Sequence, residues 1–387
     1  MEDADRKIRK TEEKAGTKLP LVLCEKILLR LDVKALSRFK CVCNGWHDLI
    51  SSSRFIRRHL DLSIADPEQN HHRVFLIFPL TTIDYRYFGF HVERKYCNKI
   101  IDKPLRYPRE MSPFYLEIIG SCDGLICLLS GVKDKSIIIW NPSSQELVTS
   151  PLPFNHADLG FYWFGRDCMS DGYKLLVSSH RKYHKIYELS PYEGLYDWRK
   201  HKDEVIRPTR AFEKRGTYFN GNVYWPCLQN RHIVVSYNLS NAEVRGVPAP
   251  DIIRGNASFT LGVFDGSLCA ICKPYKNFEI WTMKECSLGQ YYWTNLIQLE
   301  GFEANSNMLR PLGALRNGDL IVDVDQKTLQ RYYFNGNTPR IVKTHNVNHG
   351  MLSDAITYVE SLVSPIDSIQ FGPQQLRMTN EAHGCAR

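Results

Sequence analysis

Residues 120–129 read Gly-Ser-Cys-Asp-Gly-Leu-Ile-Cys-Leu-Leu, an Asp-Gly pair followed at once by an apolar run. Asp-Gly tolerates the positive φ angles of a two-residue hairpin, so Asp123-Gly124 marks the tip between two strands. The signature returns at Asp171-Gly172, Asn220-Gly221, Asp265-Gly266 and Asn317-Gly318, in steps of 48, 49, 45 and 52 residues. Apolar runs follow each pair, at 173–177, 223–225, 268–271 and 320–322. An aromatic residue then stands 15 or 16 positions after each glycine: Trp140, Tyr187, Tyr237, Trp281 and Phe334. A recurrence of this kind is the mark of a repeat architecture.

Further strand-like runs at 146–149, 244–247 and 293–299 bring each unit to about four strands, the size of one propeller blade. The span 73–370 accommodates six such units, with 358–363 as a closing strand. The expected fold is therefore mainly β: a short N-terminal helical domain, then a β-propeller of about six blades over 65–370. Gly124, Gly172, Gly221, Gly266 and Gly318 are expected at positive φ in the blade turns. The chain has no Gly-Gly doublet and no Trp-Asp dipeptide, so it is neither a regular Kelch nor a WD propeller. A pair of β-sandwiches is the competing architecture, and the regular period argues against it. Trp140, Trp225 and Trp281 follow the repeat and read as blade core. Aromatics outside it, at 161–164 and 192–198, and the stretch 305–309 read as recognition candidates in longer connections.

The 387 residues are 43% hydrophobic, 12% aromatic and 24% charged, ordinary for folded domains and too aromatic for a disordered chain. No apolar run approaches the ~20 residues that span a bilayer. The charged N-terminus, Met1-Glu-Asp-Ala-Asp-Arg-Lys, cannot serve as a signal peptide. Cytoplasm or nucleus is the expected compartment, where the 12 cysteines are mostly buried thiols. Cys269-x-x-Cys272 lacks the second pair that a structural zinc site wants. Net charge is +8, of which residues 1–60 carry +6, with 14 Lys/Arg against 8 Asp/Glu. A nucleic-acid binder would concentrate basic residues on its large domain, so no nucleic-acid partner is expected. Residues 1–17 and 371–387 read as tails.

Within 18–60, Leu19, Leu23, Ile27, Leu28 and Leu31 follow the helical period, with Pro20 suited to the first turn. Asp32 can cap a short helix containing Val33 and Leu36. Phe39, Val42, Cys43, Trp46, Leu49 and Ile50 continue at helical spacing until Ser51-Ser-Ser-Arg breaks the pattern before Phe55, Ile56 and Leu60. Helices this short bury little surface, so the unit should complete its core against a partner or against the following domain.

These residues resemble the F-box of plant proteins. The resemblance rests on Leu19-Pro20, Ile27-Leu-Leu-Arg-Leu31, Val33-Lys34, Leu36, Arg38-Phe-Lys-Cys-Val42, Trp46, Leu49-Ile50, Phe55 and His59-Leu60. Leu21-Val22 depart from it, standing where the family usually has acidic or polar residues, and Asp32 replaces a common Pro. The remainder resembles the type-one F-box associated domain over roughly 70–365. The pieces are 120–127, Trp140-Asn-Pro-Ser-Ser144, Pro151-Leu-Pro153, Gly216, Asn220-Gly221, Tyr224-Trp225, Leu261-Gly262, Ile280-Trp-Thr-Met283 and Tyr358-Val-Glu-Ser-Leu362. The resemblance implies a substrate-recognition subunit of an SCF-type cullin–RING ubiquitin ligase. It would bind a Skp-type adaptor, and through it the cullin and RING subunits, and capture an unidentified protein substrate on the propeller. The adaptor-binding residues it implies are Leu19, Pro20, Ile27, Leu28, Leu31, Leu36, Val42, Cys43 and Trp46.

Catalysis finds little support in the residues. No G-x-S-x-G, phosphate loop or G-x-G-x-x-G occurs. The pairs His180/His184 and His345/His349 have metal-ligand spacing for a helix but lie in β-rich or loop sequence. No cofactor and no metal are expected. A propeller enzyme with a helical cap, and an F-box protein acting outside a ligase, are the alternative readings.

Overall fold

The computed structural model describes residues 20–65, 72–78, 86–91, 101–104, 116–130, 136–155, 158–167, 172–179, 185–189, 198–200, 214–227, 233–253, 259–264, 266–285, 290–300, 302, 306–314, 320–325, 328–335, 338–346 and 354–368. The chain divides into two units, Met1–Ala65 and Asp66–Arg387.

In the first unit, helix α1 (Leu21–Leu28) starts behind Pro20, whose carbonyl accepts the amides of Leu23 and Cys24. Asp32 caps α2 (Val33–Phe39), its carboxylate accepting the Ala35 N–H at 2.6 Å. The run from Phe39 to Ile50 is not one helix: α2 ends at Phe39, and α3 (Asn44–Ser51) begins after Cys43. Ser52 then adopts extended ψ, and its hydroxyl accepts the Phe55 N–H at the start of α4 (Ser53–Ala65). Leu28, Leu36, Ile50, Phe55 and Leu60 form the buried interior. Two polar ties close it: His59 Nε2 meets the Leu31 carbonyl at 2.8 Å, and Glu25 pairs with Arg58.

The second unit is a mainly β assembly of six four-stranded antiparallel sheets. Blade 1 combines β1 (His72–Phe78), β2 (Arg86–His91) and β3 (Ile101–Pro104) with β24 (Asp354–Val359), which arrives from the far end of the chain. Blade 2 holds β4 (Leu116–Cys122), β5 (Leu125–Ser130), β6 (Ser136–Trp140) and β7 (Leu147–Pro151). Blade 3 holds β8 (Leu159–Arg166), β9 (Tyr173–Ser179), β10 (Lys185–Leu189) and β11 (Trp198–Lys200). Blade 4 holds β12 (Thr217–Phe219), β13 (Asn222–Cys227), β14 (Ile233–Asn238) and β15 (Val244–Pro248). Blade 5 holds β16 (Phe259–Phe264), β17 (Ser267–Cys272), β18 (Phe278–Glu285) and β19 (Tyr291–Leu299). Blade 6 holds β20 (Leu309–Ala314), β21 (Leu320–Val324), β22 (Thr328–Asn335) and β23 (Thr338–Asn346).

Inner strands β24, β4, β8, β12, β16 and β20 stand next to one another in a closed ring. Apolar side chains fill the spaces between blades. Phe75, Ile77 and Tyr358 of blade 1 pack on Ile118, Ile126 and Trp140 of blade 2. Phe161 and Trp163 of blade 3 pack on Trp225 and Tyr237 of blade 4. The closing strand sits four residues ahead of its expected place: pairing with β1 runs from Ile77↔Asp354 to His72↔Val359. Residues 361–363 instead latch onto blade 2, where Asn141 Nδ2 donates to the Ser361 and Val363 carbonyls.

The blade turns follow the expected chemistry where the loop is short. Asp123 (φ 53°) and Gly124 (φ 87°), and likewise Asn220 (φ 45°) and Gly221 (φ 74°), form two-residue turns closed by Cys122↔Leu125 and Phe219↔Asn222. Gly266 is also at positive φ (64°). At the two other tips the loop is longer. Arg166 pairs with Tyr173, so Gly172 belongs to a wider connection, and Ala314 pairs with Leu320. Gly318 itself lies outside the described residues.

Candidate functional site

The helical unit presents apolar side chains to solvent. On α1, Leu21, Val22 and Leu23 are exposed at its first turn, and Ile27 follows Leu23 one turn later on the same face. Val42 stands exposed between α2 and α3, flanked by the exposed Cys41 and Cys43. Beside it, Trp46 is half-buried and holds Phe39 edge-to-face at 5.3 Å between ring centroids.

The residues expected at the adaptor surface therefore divide. Pro20, Ile27, Val42 and Cys43 are exposed, and Leu31 and Trp46 are half-buried. Leu28 and Leu36 are not at the surface: they are 2% and 0% exposed and form the unit's own core. Both lie on the side of their helices that meets the other helices, which spacing alone does not distinguish from a docking side. Leu19 lies outside the described residues. Leu21, Val22 and Leu23 were missed as surface candidates. The signal was present, because three consecutive apolar residues exceed what one buried helical stripe can use.

On the propeller, a cluster of charged side chains joins strands of blades 1, 2 and 6 to the residue just ahead of β12. Arg215, just ahead of β12, reaches across to blades 1 and 2. Its guanidinium donates to both Asp354 carboxylate oxygens (2.9 and 2.8 Å) and to the Ile118 carbonyl (2.8 Å). Asp354, at the start of β24, also accepts Arg310 of β20 (2.9 Å) and the Ile118 N–H (3.0 Å). Arg310 in turn donates to Asp323 of β21 at 2.8 Å. Burial pushes the Asp354 carboxyl up, but the two guanidiniums and the Ile118 N–H together outweigh it and hold it below the usual carboxylate range. Two guanidiniums and two carboxylates thus meet between the blades, an arrangement suited to holding strands together.

The remaining candidates resolve into structure. Phe161, Tyr162, Trp163 and Phe164 are all buried in β8, an inner strand and not a connection, with Phe161 stacked on Trp225 at 5.4 Å. Trp198 lies in β11, while 192–197 are outside the described residues. Of the stretch 305–309, residue 305 is not described and Leu309 is buried at the start of β20. Trp140 and Trp225 are fully buried and Trp281 partly so. Cys269 and Cys272 sit three apart on β17, where side chains alternate between faces. One packs between blades 5 and 6, the other between blades 4 and 5. Burial, helped by Glu279, pushes the Cys272 thiol up to about 12, and burial raises Cys127 as well, so neither is a ready nucleophile. Among the described residues no cluster of His, Cys, Asp and Glu could hold a metal ion. His345 lies on β23, and His180, His184 and His349 are outside the described residues. No described helix is long and apolar enough to cross a membrane.

Comparison with known proteins gives these two units their names. Residues 17–58 match the F-box domain, and residues 78–365 match the F-box associated beta propeller domain. An F-box/kelch-repeat protein of Arabidopsis thaliana is 29% identical over 361 residues, covering 90% of this chain and 96% of that one. An F-box protein of the same plant is 24% identical over 336 residues, covering 80% and 85%. Among solved structures, TolB from Acinetobacter baumannii aligns with a TM-score of 0.47 at 11% identity, covering 79% of this chain and 73% of that one. With both family models matched in order along its length, the chain belongs to the F-box proteins that carry an F-box associated beta propeller domain.

Proposed function

We propose that this chain is the substrate receptor of an SCF-type cullin–RING ubiquitin ligase: the helical unit docks on a Skp-type adaptor, and the propeller captures the protein to be modified. The observation that carries the reading is the exposed apolar set Leu21, Val22, Leu23, Ile27 and Val42 on a unit whose described residues form four short helices. Apolar side chains at this density on so small a fold favour a partner that covers them. In this reading the chain supplies proximity and not chemistry. Tethering raises the client's effective concentration at the recruited conjugating enzyme, which performs the transfer.

The test is capture of a purified Skp-type adaptor by the full chain and by Ile27→Asp/Val42→Asp. Removing central apolar anchors commonly weakens binding by about 30-fold or more, and a buried carboxylate adds to the loss. Because both side chains are exposed, the variant keeps its helical content by circular dichroism. A folded double variant that still holds the adaptor as wild type does would overturn the assignment.

A further inference from the structure

Each blade ends in an outer strand whose far edge has no β-partner among the described residues. Such edges invite stray strands unless they are short, charged or interrupted by proline. Five of the six outer strands are protected in this way. β3 contains Asp102, Lys103 and Pro104, β7 is five residues long and ends at Pro151, and β11 is three residues with Arg199 and Lys200. β15 contains Arg245 and Pro248, and β23 contains Pro339, Arg340 and Lys343.

β19 departs from all of them in composition, and its one guard is the bulge at Leu296. It is nine residues long, reads Tyr-Tyr-Trp-Thr-Asn-Leu-Ile-Gln-Leu, and contains neither charge nor proline. Its inner edge pairs with β18 from end to end, interrupted by one bulge. Trp293 fastens it to blade 4 by donating to the Pro248 carbonyl at 2.7 Å, and Thr294 meets Thr282. On this anchored strand Tyr291, Tyr292 and Leu296 are 39%, 49% and 44% exposed.

We propose that the outer edge of β19 receives an extended, uncharged segment of the captured client as a fifth strand of blade 5. The proposal rests on the receptor reading above and assigns its client site. Main-chain N–H and C=O groups along the edge supply affinity, and Tyr292 and Leu296 select apolar side chains on the incoming strand. Charge decides the chemistry of the occupant. From Gln290 to Leu299 there is no charged side chain, so a charged client residue laid here would lose water without gaining a counter-charge. A second copy of this chain is the alternative occupant that the experiment distinguishes.

The experiment selects a random-peptide display library on the intact chain, in parallel with Tyr292→Lys/Leu296→Lys. Uncharged peptides rich in β-branched and aromatic residues should be enriched on wild type and bind the double variant at least about tenfold more weakly. N-methylation of alternate amides in a selected peptide should weaken it by a similar factor, because strand addition needs those donors. The methylated peptides probe the unaltered protein, so this arm stands even if the double variant melts early. Peptides that bind variant and wild type equally, that tolerate N-methylation, or that are never enriched would overturn the proposal. So would sedimentation showing a wild-type dimer that the double variant abolishes, which gives the edge to a second copy. Adaptor capture is measured alongside: its failure in wild type sinks the receptor reading while leaving the peptide result standing.

Discussion

At the level of single residues, Gly124 and Gly221 look interchangeable in the sequence and are not so in the fold. Both occupy left-handed φ in two-residue turns, but a Cβ on Gly221 meets open space, whereas one on Gly124 would lie 2.2 Å from Ser361 Oγ. Gly221→Ala should therefore lose only the backbone preference, about 1–2 kcal/mol. Gly124→Ala should add a steric conflict with the C-terminal latch and lose roughly 2–4 kcal/mol in total. Urea titration of the full chain checks the ranking; equal midpoints would show that the latch yields freely. The local code was legible here because Asp-Gly and Asn-Gly report backbone geometry directly. What surrounds each turn was not, because Ser361 lies 238 residues from Asp123, whose carbonyl it binds. The same limit hid the fate of Leu28 and Ile27. Neighbours of equal hydrophobicity, one is buried and one exposed, and only the placement of the other helices separates them.

Elements show how far periodicity carries. It found the helices of the first unit but started α3 at Phe39, since Phe39, Val42, Cys43 and Trp46 keep helical spacing through the break between α2 and α3. It found the blade hairpins but missed a second repeated loop. Between β6 and β7, Asn141 Oδ1 accepts the amides of Ser143 and Ser144, and Gln145 takes a left-handed φ of 66°. Between β14 and β15, Asn238 Oδ1 accepts those of Ser240 and Asn241, with Ala242 at 58°. Each asparagine follows the repeating aromatic, Trp140 or Tyr237, so the signal was one position beyond the one read. Among helix ends, the cap on α2 is the most testable. Asp32→Ala removes the acceptor for the Ala35 N–H and should weaken the helix by about 1 kcal/mol, or about fivefold faster hydrogen exchange at its first amides. Unchanged exchange would mean that packing alone holds α2.

For the molecule as a whole, the cluster of Arg215, Asp354, Arg310 and Asp323 is one of the points where distant blades meet. Asp354→Asn leaves Arg215 and Arg310 without a full counter-charge in a buried site, and should cost about 3–5 kcal/mol at neutral pH. The pH dependence follows from the same groups. In the native chain this carboxyl sits below its unfolded value of about 3.9. Its stabilisation is therefore complete above that value and is lost as pH falls through the depressed native one. Denaturation midpoints of wild type and Asp354→Asn should converge on acidification, and a gap that persists at low pH would remove Asp354 from this role.

The closing strand also sets an order of events during synthesis. Arg73 and Glu360, paired across blade 1, are 287 residues apart. At about 5–20 residues per second, the ribosome needs roughly 15–60 s to make the distance between them. The helical unit is finished at Ala65 and can fold early, whereas β1 waits for its partner until the last blade has emerged. A nascent chain thus carries a complete N-terminal unit long before the ring can shut. A premature stop anywhere between Pro104 and Asp354 would release a protein with folded helices and an open first blade.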